Sequence, residues 1–246
     1  MNESMIQFSY DGFCLRFDKE NLRYSILAGK TAWETEETFS PFFRVRSCEK
    51  PVYFKDAEVQ KHELVKSGVG EGIRSSYRDF VLSKAAGSES GKEETLSFAF
   101  ETFVWIEYST KQVYFEWIPF TEAPENAIEQ VFFPGPFSFQ KERKDWYTIL
   151  PKEQGILIPN TWDVRFKQDG FNGRFGTASA YLPVFGQVKE GEGYLAESLT
   201  PWNMGYEAVH EAGTNKTAVQ FRIEPSLGLM EYRRIMRYLF LSDCDY

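Results

Sequence analysis

The chain has 246 residues, which suits one large domain or two small ones, and a single domain of this size buries most of its apolar surface. It carries 28 basic against 36 acidic residues, a formal charge of −8 with no basic tract, which argues against nucleic acid and anionic membranes as partners. Cys14, Cys48 and Cys244 show no C-x-x-C spacing, so neither a disulfide framework nor a zinc site is expected, and no other cofactor is.

The first half reads as strand after strand. The N-terminus MNESMIQFSYDG lacks the basic and apolar regions of a secretory leader, so a cytoplasmic location is expected. No run is long enough to span a membrane. MIQFSYDG and FCLRFD alternate around Asp11-Gly12, a strong hairpin signal. LRYSIL and SPFFRVRS follow as further strands, and GEGIRSSYRDFVLS and TLSFAFETFVWIEYS are longer ones. In the last of these Leu96, Phe98 and Phe100 share a face, and the alternation then slips. A bulge near Thr102 would place Phe103 and Trp105 on that same core face. STKQ closes a hairpin to VYFEWIPF, and the small polar residues of 83–94 suit a flexible hairpin tip. Strands this long suit a large sandwich.

In FFPGPFSF, Pro134-Gly135-Pro136 breaks the strand ending at Phe133 and turns the chain across the sandwich, with the phenylalanines packed beneath. Strands resume with SAYLPVFGQV, GYLAESL and TAVQFRIE. The end reads as helical over 227–241, with Ser226 as N-cap and Leu229, Tyr232, Met236 and Leu239 on one stripe. Arg233, Arg234 and Arg237 make this helix basic, fit to pack on the sandwich or to lead into a further domain.

Chemistry-bearing motifs are few. There is no G-x-S-x-G elbow, and GVGEG precedes a strand, where a phosphate loop would precede a helix. His62 and His210 read as surface histidines, the former on an exposed strand face. Glu197 ends the apolar GYLA strand just before a turn holding Trp202 and Tyr206. A carboxylate beside rings can accept sugar hydroxyls while the rings cover the apolar sugar face. Trp146 and Trp162 sit in similar loop-rich surroundings and complete the candidate carbohydrate contacts, whereas Trp105 and Trp117, placed mid-strand, belong in the core.

The order of LPKEQGILIPNTW, RFGTASAYLPVFGQVKEGEGYLAESLTPW and TAVQFRIEPSLGLMEYRRIMRYL resembles the N-terminal β-sandwich domains of bacterial glycoside hydrolases. The resemblance implies a mostly β fold over 1–246, a large antiparallel two-sheet supersandwich of the galactose mutarotase type, ending in the C-terminal helix. It implies a single non-catalytic domain that binds or frames a saccharide, with a catalytic barrel or other protein partner at that helix. The family's catalytic carboxylates belong to the barrel, so none carries over. Two alternatives stand beside this reading. One is an aldose epimerase using Glu197 or Glu207 as base and His62 or His210 as acid. The other is an interaction domain, marked by an exposed apolar patch beside the terminal helix.

Overall fold

Strict alternation of apolar and polar residues gives a strand one face for the core and one for solvent, and this pattern builds nearly the whole molecule. A computed structural model describes residues 4–37, 39–82, 94–120, 127–138, 145–153, 155–161, 171–177, 180–211, 216–226 and 229–242. Trp162, Cys244 and nearly all of the 83–94 tip lie outside them.

The described strands form three antiparallel sheets, one more than the sequence reading expects. A five-stranded sheet holds β1 (Met5–Tyr10), β2 (Phe13–Asp18), β3 (Arg23–Ala28) and β4 (Thr31–Thr35) in chain order, then β12 (Phe137–Ser138). Its first hairpin turns on Asp11 and Gly12, both at positive φ (42° and 79°), as the predicted tight turn requires. A six-stranded sheet runs β15 (Asn172–Arg174), β18 (Met204–Glu211), β19 (Lys216–Ile223), β11 (Ile128–Phe132), β5 (Phe42–Val45), β6 (Val52–Tyr53).

The nine-stranded sheet is the largest. It begins with β14 (Ile156–Pro159), β13 (Tyr147–Leu150), β16 (Val184–Lys189) and β17 (Glu192–Ser198). It continues through β20 (Arg234–Ser242), β10 (Val113–Pro119), β9 (Glu94–Glu107), β8 (Gly70–Leu82) and β7 (Ala57–Lys66).

The nine-stranded sheet packs against both others. Trp33 of β4 meets Tyr194 of β17 and Phe240 of β20, at ring-centre distances of 5.3 and 5.7 Å. Phe43 of β5 meets Phe80 of β8 edge-on at 4.9 Å, and Phe221 of β19 meets Phe185 of β16 at 4.5 Å. Such ring pairs each contribute about 0.5–1.5 kcal/mol beyond area burial. The buried apolar residues form one cluster. The stretch from Phe132 to Phe137 is buried throughout and carries the chain from β11 in the six-stranded sheet to β12 in the five-stranded one. The Pro-Gly-Pro corner therefore joins the two sheets that face the large one, with the ring of Phe39 against Gly135.

Three expectations need correction. No C-terminal helix forms: among the described residues helix is limited to one 3-10 turn, Phe54–Asp56. The segment expected as helix supplies β20, where Arg234, Met236, Tyr238 and Phe240 alternate inward. Its residues fit both periods, but β17 and β10 flank it and take up both rows of its backbone hydrogen bonds. Ser226 forms a tight bridge with Leu229 and caps nothing. Second, β9 does not slip at Thr102, which is buried in register with Phe98, Phe100, Val104 and Ile106. The register shift lies farther along the pair, between Arg78 and Phe80 opposite Ala99 and Leu96, where Asp79 takes φ 56°. Phe103 and Trp105 therefore face outward, while Trp117 is core as expected. Third, His62 is not on an exposed face. It turns inward from β7 against Phe17 and Tyr77.

Candidate functional site

The outer face of the nine-stranded sheet carries rings and charges in register. Glu197 of β17 lies opposite Arg237 of β20, which lies opposite Tyr114 of β10, then Trp105 of β9 and Gly72 of β8. At the usual strand spacing this row is about 19 Å long. A second row on the same face runs Ile235, Glu116, Phe103, Arg74 and Glu63.

Each side chain is held by a neighbour. Arg237 donates to Glu197, and that hydrogen bond with its charge raises the guanidinium pKa further. Tyr114 stacks on Trp105 at 4.5 Å and 12°, and burial followed by the Glu107 charge pushes its phenol pKa up. The Trp105 indole donates to Glu116 Oε1 at 2.9 Å, and Arg233 binds the other oxygen of that buried carboxylate. On its opposite side the indole leans over Gly70, where a Cβ would come within 2.8 Å of the ring. Gly70 and Gly72 thus clear the space that the indole fills. Arg74 lies 5.2 Å over the Phe103 ring and 3.7 Å from Glu101. Glu197 and Glu116 are both engaged by guanidinium groups, which suits orienting a polar ligand and leaves neither as a free acid–base pair.

The expected contact residues separate. Glu197 belongs to this face, and Trp202 stands exposed on the turn after β17. Tyr206 is wholly buried on β18, and burial raises its pKa to about 12. Trp146 is buried too, edge-on to Trp33 at 5.6 Å, with Lys189 over its ring. Trp162 lies outside the described residues. The sequence reading missed Trp105, Tyr114, Glu116 and Arg237. The signal was the G-E-G of Gly70 to Gly72, two glycines on one strand face, which leave room for a large ring on the neighbouring strand.

The epimerase pairing of Glu197 with His62 fails on distance. Their strands are five apart in the sheet, about 24 Å, and the two side chains point to opposite faces. Glu207 lies in the six-stranded sheet, hydrogen-bonded to Gln220. Among the described residues no three His, Cys, Asp or Glu side chains gather as a metal site, and no helix is long and apolar enough to cross a membrane.

No protein-family model matches the sequence, and no curated protein matches it. Solved structures do, and what they match is part of a bacterial glycoside hydrolase, as the sequence motifs implied. That enzyme is the α-N-acetylgalactosaminidase NagBb from Bifidobacterium bifidum. Its GalNAc complex is 36% identical over 98% of this chain and 36% of its own, with a TM-score of 0.83. The same enzyme with Gal-NHAc-DNJ gives 36% and 0.84, and its ligand-free form 35% and 0.81, over the same shares. The chain therefore spans about a third of the length of the enzyme that it matches.

Proposed function

We propose that residues 1–246 form a single carbohydrate-associated domain, the non-catalytic N-terminal part of a glycoside hydrolase, whose large sheet helps frame a saccharide. The observation that carries this reading is the 36% identity to NagBb over 98% of the chain. The outer face supplies suitable chemistry. Trp105, Tyr114 and Phe103 offer ring surface for the C–H faces of a sugar, Glu197 accepts from hydroxyls, and Arg237 and Arg233 donate to ring or amide oxygens, with the buried Glu116 holding Trp105 and Arg233 in place. Trp202 extends the ring surface beyond β17.

NagBb was solved with GalNAc, so an N-acetylated hexose is the first ligand to try. Calorimetric titration with GalNAc, backed by a glycan array, should detect binding. Trp105→Ala, Glu197→Gln and Trp202→Ala should each weaken it about 10-fold, the loss of roughly one stacking or charge-assisted contact. Binding unchanged in all three variants would remove the site; no binding to any sugar would remove the reading.

A further inference from the structure

Exposed large apolar side chains concentrate at one end of the nine-stranded sheet. Trp202 is 78% exposed, Tyr181 and Leu182 are 63% each, and Phe120, Leu199 and Tyr232 are exposed too. Strand order brings them together. Leu182 precedes β16, Leu199 and Trp202 follow β17, Tyr232 precedes β20 and Phe120 follows β10, and these four strands are consecutive in the sheet. The register Val184–Glu197, Ser198–Met236 and Trp117–Arg234 sets all four ends side by side, across about 14 Å.

The same end holds a cation without an anion. Arg234 is 4% exposed, on the inner face of β20 beside Trp117, with its guanidinium 5.6 Å from the Tyr232 ring centre. Its Nε is buried without an acceptor, and among the described residues no carboxylate pairs with it. A guanidinium desolvated this way is destabilising until a carboxylate reaches it.

We propose that this end of the sheet docks a second protein domain, the catalytic portion of a glycoside hydrolase, whose apolar surface covers Tyr181, Leu182 and Leu199 and whose carboxylate pairs with Arg234. This rests on the reading of the chain as part of such an enzyme. The matching NagBb chain extends well beyond the third that this chain spans, so in that enzyme the matching part is continuous with a large further polypeptide, which is the occupant this surface is assigned. Trp, Tyr and Arg are the residues that dominate protein interfaces, and leucines standing beside the rings fit a protein better than a sugar.

The test is a hybrid NagBb in which this chain replaces the matching third, compared with the isolated chain by hydrogen exchange. Amides of 180–183, 199–204 and 229–236 should exchange at least about 10-fold more slowly in the hybrid. Protection confined to the Trp105–Tyr114 face, or none, overturns the proposal. Leu182→Asp with Leu199→Asp should leave the Tm of the isolated chain within about 2 °C, since both side chains are exposed, and should abolish the protection in the hybrid. Retained protection counts against it. Arg234→Met gives a reading that needs no hybrid: it should not lower the Tm of the isolated chain, and a clear fall would mean the guanidinium already serves the lone domain. Self-association of the isolated chain that the double variant abolishes would assign the surface to a second copy and overturn the occupant. GalNAc titration of the double variant should match wild type, which separates failure here from failure of the saccharide site.

Discussion

Acidifying the protein from pH 7 to pH 4 tests the packing around His62. Its ring sits 5.2 Å from Phe17 and 5.9 Å from Tyr77, with Nδ1 2.8 Å from the hydroxyl of Ser75. Burial, then repulsion from Lys19, lowers its pKa from 6.5 to about 4. The unfolded chain therefore takes up the proton first, and stability is lost as pH falls from 6.5 towards 4. At face value the shift corresponds to about 3.4 kcal/mol. The ring is only half-buried, so solvent screening reduces this to about 1–2 kcal/mol. Roughly 1 kcal/mol of that should be gone by pH 5, a Tm lower by about 2–4 °C for a chain of this size. Urea melts at pH 7, 6, 5 and 4 on wild type and His62→Gln give the comparison. The variant, having no imidazole, should show a shallower loss between pH 6.5 and 5, where few carboxylates titrate. Parallel curves for the two proteins would refute the reasoning.

Other substitutions probe the sheets themselves. Gly72→Ala sets a methyl group 2.5 Å from the Val104 carbonyl oxygen, so β8 or β9 must shift. A loss of about 1–3 kcal/mol in denaturant unfolding is expected. Trp33→Ala empties the contact between the five- and nine-stranded sheets and should cost about 3–5 kcal/mol, read from chemical denaturation. Arg237→Met breaks a half-exposed ion pair and should change stability by less than about 1 kcal/mol, while weakening GalNAc binding in calorimetry.

Much of the strand plan was legible because alternation is a local property. The Asp11-Gly12 hairpin, the long strands β8 and β9 and the STKQ turn all follow from residues close in sequence. What failed needed neighbours. Met236, Tyr238 and Phe240 alternate, but Leu229, Tyr232, Met236 and Leu239 also make a helical stripe, and only the unfilled gap between β17 and β10 decides between them. Thr102 is an inward polar residue within an aromatic run, so it imitated a slip that the backbone makes at Asp79 on the next strand. The site followed the same rule. Glu197 and Trp202 were found from their own loop, whereas Trp105, Tyr114 and Arg237 become a group only once three separate strands are paired.

The place of β20 has a consequence for how the protein is made. It enters fifth of nine in the large sheet, between strands that precede it in the chain by some 40 and 120 residues. During synthesis β14, β13, β16 and β17 on one side and β7 to β10 on the other can assemble only as two halves, each presenting a raw edge to neighbouring chains or to a chaperone. Ribosomal release of residues 234–242 is the event that seals them, so a nascent chain stalled just short of it offers two sticky templates for mispairing with its neighbours.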